Sequence, residues 1–405
     1  MTIGPATRAE GLARLEAFVP RMGRRYAACR NYDRGPGQHR DVSCLSPWLR
    51  RRLVTEEETV IAALRAHGPD GAEKFIQEVF WRGYFKGWME RRPIIWAQYR
   101  DGLERDLAAL DHDSTLARSV TRAEEGRTGI NCFDAWAEEL VETGYLHNHA
   151  RMWFASIWIF TLRLPWRIGA DFFYRHLLDG DPASNTLSWR WVAGLHTRGK
   201  FYAAQSWNIA KFTGQRFAPH AGELAEVTAG LDGPEPEGLP EIQPLRRARA
   251  PAARVPSLLL ITEDDGRLEE MGLDRVEICG AVRLAASHLR SPREVAQPVA
   301  AFEDAALDDS AARAGVVAEP MRAGVPGDLA TVAARMGARQ IVTGYVPEGP
   351  LRDWLRDAAP ALKAEDIALC EWQREWDLAI WPHATAGFFK VKKQIPRIVA
   401  QRQLL

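Results

Sequence analysis

Thr143-Gly144-Tyr145-Leu146-His147-Asn148-His149-Ala150-Arg151-Met152-Trp153-Phe154-Ala155-Ser156, followed farther on by Leu177-Leu178-Asp179-Gly180-Asp181-Pro182, is the text that decides how this chain reads. Gly144 stops one amphipathic helix, and polar groups open the next. From His147 to Leu162 that next helix is otherwise apolar, so the spacing predicts a buried central helix. Arg151 falls one turn after His147 and near the face of Asn148. A guanidinium at the head of a buried helix needs a carboxylate, because an isolated buried charge is very costly. Asp179 and Asp181 offer two, with Asn185 close behind and Trp189 and Trp191 after it. Two readings are open on this chemistry alone. One is a structural ion pair among core tryptophans. The other is a polar-edged pocket for a flat heterocycle.

Working outward, residues 1–217 read as helical. Thr55 to Glu58 is a capping box opening a helix to Ala66. Ala72 to Trp88 continues with Phe75, Val79, Trp81, Phe85 and Trp88 at helical spacing, and helices follow at Asn131–Thr143 and Asp171–Leu178. Residues 218–256 read as a linker, with Gly-Pro-Glu-Pro-Glu-Gly at 233–238 as its clearest mark. Residues 257–405 alternate instead. Strands are expected at Leu258–Thr262, Val276–Leu284, Gln340–Gly344 and Ile367–Cys370, with helices at Val299–Gly315, Leu329–Met336 and Pro350–Ala358. Such alternation predicts a Rossmann-like parallel sheet with covered faces. No GxGxxG or Walker motif opens these helices, so no motif supports a nucleotide site there. The expected fold class is therefore α plus α/β.

Lys+Arg and Asp+Glu balance at 53 each, so global charge does not select a partner. The placement is uneven. Residues 1–52 carry eleven arginines, which read either as a solvated face or as a phosphate-binding one. Five scattered cysteines without a CxxC pair point to neither a disulfide framework nor a metal site. No window approaches the ~20 apolar residues of a membrane span. A cytoplasmic protein is expected. Eleven of the fifteen tryptophans fall between Trp48 and Trp207, which fits core packing, an aromatic ligand site or an electron path.

The motifs in order resemble the FAD-binding domain of the DNA photolyase and cryptochrome family. The resemblance runs from about Tyr32 to Phe217. It is carried by Ser43-Cys44-Leu45-Ser46-Pro47, Phe75 through Tyr84, Thr128-Gly129-Ile130, Asp134, Glu138, Thr143 through Asn148, Arg151-Met152, Ala155-Ser156, Leu177 through Asp181, Asn185 and Trp189-Arg190-Trp191. It implies that Ser43, Cys44, Leu45 and Ser46 hold the FAD diphosphate, with Arg82 nearby. It implies that Asn148, Arg151, Asp179, Asp181 and Asn185 surround the isoalloxazine and adenine, with Arg151 and Asp179 paired. The activity it implies is light-driven electron transfer from reduced flavin to a cyclobutane pyrimidine dimer in DNA, a carbon–carbon lyase reaction. The dimer must leave the stack to reach the site. Glu78, Trp81, Asn148, Met152 and Trp191 match positions lining that lesion pocket, with Trp81 and Trp191 stacking on the bases and Glu78 bonding to them. The sister class acting on (6-4) lesions has His where Asn148 and Met152 stand. Trp189 and Trp166 match the first two members of the family's tryptophan path. Trp136, Trp153 or Trp158 is the candidate third, against the reading that these three simply pack.

Some features depart from the family pattern. His149 stands where dimer photolyases often have a phosphate-contacting Arg, and the basic text after Arg216-Phe217-Ala218-Pro219 turns at once into linker. The FAD-domain match begins almost at the N-terminus. Asp328 through Gly344, Arg352 to Asp366, Ile367-Ala368-Leu369 and Gly387 through Val391 resemble the later part of the family's α/β antenna domain, with Leu258 through Thr262 as its first strand. This weaker resemblance implies an antenna domain in permuted order at residues 257–405, its chromophore unknown. Three functions are therefore weighed. The first is a photolyase acting on single-stranded or weakly bound duplex DNA. The second is a cryptochrome-like light or redox sensor without repair. The third is a binding module that has lost FAD, against which Asp179-Gly180-Asp181 and Asn185 speak.

Overall fold

The Thr55 hydroxyl accepts from the Glu58 N–H and the Glu58 carboxylate accepts from the Thr55 N–H, which starts the long Glu56–Glu90 helix. Gly68 bends it with φ 66° and ψ 173°, a conformation suited to glycine, and Pro69 removes a donor at the same bend. This helix, Asn131–Thr143, Asn148–Ser156, Trp166–His176 and Pro182–Ala193 share one apolar core. The computed structural model describes residues 4–197, 199–220, 222–231 and 238–404. Most of the Gly-Pro-Glu-Pro-Glu-Gly segment lies outside them, and the described remainder of 218–256 contains no helix or strand before Pro256.

Two helices differ from their sequence expectations. Trp166–His176 starts before Asp171, with Pro165 as its N-cap, whose fixed φ suits a helix start. The central helix is α-helical only to Ser156. It then widens into a π turn, Ile157–Thr161, where the Leu162 N–H donates to the Ile157 carbonyl at 2.9 Å.

The second unit is a five-stranded parallel sheet: β1 (Pro256–Ile261), β2 (Glu277–Ala285), β3 (Glu319–Arg322), β4 (Gln340–Gly344) and β5 (Ala368–Trp372), in the order β3-β2-β1-β4-β5. Alternate residues of β1 face opposite sides. Leu258 and Leu260 join one apolar cluster, and Leu259 and Ile261 another, so helices cover both faces. β3 carries no apolar run and sits exposed at the edge, which hid it from pattern reading.

The chain after β5 does not stay with the sheet. Trp376, Ile380, Trp381, Val391, Ile398 and Val399 bury themselves in the helical core instead. Two glycines of the Glu56–Glu90 helix make the room. A Cβ on Gly87 would stand 2.7 Å from Trp381 Cδ1, and one on Gly83 would stand 3.0 Å from Ile380 Cδ1. The end of the stretch expected as one α/β unit is thus packed across the first unit, because its apolar side chains find a ready groove there.

The two units meet through buried charge. In a doubly wound sheet the crevice beyond the carboxyl ends, where strand order reverses, is the usual ligand position. Here Glu263, Asp264 and Asp265 follow β1 into that crevice and receive arginines of the helical unit. Arg50 Nη1 donates to Asp264 at 2.8 Å, Arg51 lies 2.9 Å from Glu263, and Arg52 lies 3.3 Å from Asp265. Other N-terminal arginines are paired as well: Arg8 with Glu58, Arg14 with Glu10, Arg30 with Glu78, Arg34 with Asp41. Much of the basic N-terminal text is therefore internal ion pairing.

Candidate functional site

The same three-arginine segment fixes the loop that carries the aspartates. Arg51 Nη1 donates to the Leu178 carbonyl at 2.6 Å, Arg50 Nε to the Gly180 carbonyl at 3.0 Å, and Arg290 Nη1 to the Leu177 carbonyl at 3.1 Å. Charged donors on neighbouring carbonyls hold a loop firmly. From this loop Asp179 and Asp181 face a cavity of about 930 Å³ in the helical unit.

Every sequence-predicted cofactor and substrate residue lines that cavity: Ser43, Cys44, Leu45, Ser46, Arg82, Asn148, Arg151, Asp179, Asp181 and Asn185, with Glu78, Trp81, Met152 and Trp191. Trp189 lines it too, whereas Trp166 is buried away from the wall. Its indole lies 5.9 Å from Tyr99, centroid to centroid, and Tyr99 lies 5.4 Å from Trp96. Trp158 packs edge-on to Trp189 at 6.3 Å.

At the inner wall both aspartates are held by cations of the protein. Arg151 Nη2 donates to Asp179 Oδ2 at 3.0 Å while its Nε donates to the Leu146 carbonyl at 2.8 Å. Burial pushes the Asp179 carboxyl up, but Arg151 and the Ser46 hydroxyl outweigh it and hold it below its usual range. Asp181 caps the Pro182–Ala193 helix by accepting from the Ser184 N–H at 2.8 Å. Burial opposes its ionisation, yet Lys86 and Arg50, each 3.8 Å away, bring it down to about 2. Asn185 Nδ2 donates to the Ala170 carbonyl at 2.8 Å, which fixes the orientation of its amide.

At the mouth, Asn148 is exposed and Trp81 and Trp191 are half-buried. Glu78 is held by Arg30 at 2.9 Å, and burial pushes its carboxyl up against that partner. Trp191 stacks on Tyr202 with centroids 5.6 Å apart. Sequence reading missed four contributors. Tyr84 and His196, bonded at 3.0 Å, line the cavity. Tyr84 was legible as an aromatic one turn from Trp81, but His196 carried no signal. Lys86, the partner of Asp181, is buried although lysine is rarely so. Phe388 arrives from the far end of the chain.

Comparison with known proteins shows what the helical unit is similar to. Residues 75–221 match the FAD binding domain of DNA photolyase. Over that stretch the helical unit is similar to the photolyase and cryptochrome family. Over 157 residues the chain is 36% identical to the deoxyribodipyrimidine photo-lyase of Streptomyces griseus, covering 38% of this chain and 33% of that protein. With a deoxyribodipyrimidine photo-lyase of Thermus thermophilus it shares 35% identity over 192 residues, covering 45% and 42%. It is 32% identical over 197 residues to the cryptochrome DASH of Ostreococcus tauri, covering 46% and 34%. The chain spans less than half the length of these curated relatives. The Synechocystis sp. PCC6803 cryptochrome structure aligns with 52% of this chain and 44% of its own at 25% identity and a TM-score of 0.42.

FAD is the cofactor of this domain. The residues present fit it. The cavity is near the upper end of the range for small-molecule sites. Arg82 Nη1 and Asp179 Oδ1 are buried and have no hydrogen-bond partner, which is costly unless a ligand supplies one. Among the described residues no helix is long and apolar enough to cross a membrane.

Proposed function

We propose that this chain is a FAD flavoprotein that receives an unpaired cyclobutane pyrimidine dimer of DNA at the cavity mouth and opens it by light-driven electron transfer. The observation that carries the reading is one continuous wall. Arg82, Arg151, Asp179, Asp181 and Asn185 line the same cavity as Glu78, Trp81, Asn148, Met152 and Trp191. Ser43 through Ser46 and Arg82 would hold the diphosphate, and Arg151, Asp179 and Asn185 the isoalloxazine edge. Bound FAD supplies the one-electron chemistry. The chain's part is to position and to exclude water. Trp81 and Trp191 offer ring faces for bases, at about 1–3 kcal/mol per stacked base. Asn148 and Met152 border the entry, and Glu78, with its raised pKa, is suited to hydrogen-bond a base edge. Trp189 on the wall and Trp166 behind it are the proposed start of the tryptophan path. The α/β unit we read as an antenna-type domain in permuted position, which its doubly wound strand order supports.

A second reading, a light or redox sensor without repair, is favoured by two contacts: Glu78 is already paired with Arg30, and Trp81 is already covered by Phe388. Illumination of the FAD-loaded protein with dimer-containing single-stranded and duplex DNA separates the two. Loss of dimers under light is expected. Unchanged dimer content with fully reduced flavin rejects repair and leaves the sensor.

A further inference from the structure

The Trp81 ring, on the cavity wall, is not bare. Phe388 lies against it with ring centroids 4.0 Å apart and planes 13° apart, a stacked pair. Phe388 is 6% exposed, and its ring also meets Tyr84 edge-on at 5.7 Å. Its neighbours are the opposite. Ala386 and Gly387 are exposed, and Phe389 is 74% exposed. The chain thus dips one aromatic ring into the cavity from a short exposed turn. Gly387 has open space where a side chain would stand. The turn is anchored on both sides. Arg92 Nη2 donates to the Thr385 carbonyl at 2.9 Å before it, and Val391 is fully buried in the helical core after it.

Offset or parallel stacking on an indole is what a nucleobase would do, and one face of Trp81 cannot hold two rings at stacking distance. We propose that Phe388 is an internal occupant of the base-stacking face of Trp81, and that an unpaired nucleobase must displace it to enter. This rests on the reading that the cavity receives an unpaired base. It makes the C-terminal segment a determinant of which ligands enter. A ring that stacks better than phenylalanine, or that brings hydrogen bonds to Glu78 and Asn148, gains entry, and a weaker one does not. The exposed turn and the lone buried ring let the displacement occur without unfolding the anchors.

The test uses the FAD-loaded full chain and a fluorescein-labelled oligothymidylate containing one cyclobutane dimer, with affinity read by anisotropy. Phe388→Ala should bind roughly two- to tenfold tighter than the parent, because a competing aromatic contact is removed. Trp81→Ala should bind more weakly, and adding Phe388→Ala to it should bring no further tightening, since the two act on one surface. Equal or weaker binding by Phe388→Ala would show that the ring is a fixed wall and overturn the proposal. So would tightening of equal size with and without Trp81. Should no variant bind the oligonucleotide, the nucleic-acid reading fails. Hydrogen exchange of the parent then decides whether the ring moves. Amides of residues 386–389 at least about tenfold faster than those of the Ile395–Gln401 helix support a ring that leaves Trp81, and equal protection overturns it.

Discussion

Arg151 and Asp179 come from separate elements, the central helix and the loop behind it, and meet at 3.0 Å on the inner wall of the cavity. Asp179 is buried while the Arg151 side chain is 23% exposed, so the arginine bridges wall and opening. The pair leaves one Asp179 oxygen without a partner, and Asp179 lines a ligand-sized space.

Asp179→Ala removes the carboxylate and leaves Arg151 uncompensated. A lost charge-assisted contact of this kind is worth about 1–3 kcal/mol. FAD affinity should drop about tenfold or more, read as the ratio of flavin to protein absorbance before and after reconstitution. A fully yellow variant would show that the flavin sits elsewhere.

Glu90 sits where the units join, accepting from Tyr345 Oη at 2.5 Å and from the Glu348 N–H at 2.7 Å. Burial outweighs those bonds and raises its carboxyl to about 7. Because the folded value lies above the unfolded one, its stabilising share is complete below about pH 4.5 and disappears as pH climbs through 7. The loss is on the order of 3 kcal/mol by about pH 8. Thermal melts across about pH 5–8 should fall for the parent and stay flatter for Glu90→Gln. Parallel curves would assign the slope to another group.

Gly169 lies between two indoles. A Cβ there would stand 2.4 Å from Trp189 Cη2 and 2.8 Å from Trp158 Cε2. Gly169→Ala therefore overpacks the wall, at about 1–3 kcal/mol. The melting temperature should fall by several degrees, and flavin affinity should fall with it because Trp189 must shift. An unchanged melt would mean that the helix slides to make room.

Arg52 is buried among three carboxylates: Asp377 at 2.6 Å, Asp265 at 3.3 Å and Glu56 at 3.4 Å. Asp265 keeps Arg374 at 2.6 Å, but Arg52→Ala leaves Asp377 and Glu56 without their shared cation, at about 3–5 kcal/mol. Asp377 belongs to the Glu375–Ile380 helix of the C-terminal stretch, so that stretch should become the first protease-sensitive region. Cleavage elsewhere, with the tail intact, would count against the ion-pair cluster as its anchor.

What could be read from the linear text was whatever repeats locally or stays close in sequence. The Thr55 box, the stop at Gly144, the polar head of the central helix and the Asp-Gly-Asp loop all announce themselves within a few residues. The apolar run Leu258–Ile261 does the same, so the two fold classes and the wall of the cavity were legible. The partners of those groups were not. Lys86 beside Asp181, Arg50 and Arg51 on the carbonyls of the aspartate loop, and Phe388 against Trp81 join residues far apart in the chain. A lysine or arginine in sequence looks solvated, and only a tertiary fold that removes water from it shows that its charge is needed inside. In the same way the C-terminal helices are apolar enough to seek cover, but the groove beside Gly83 and Gly87 that covers them exists only once the long helix has packed.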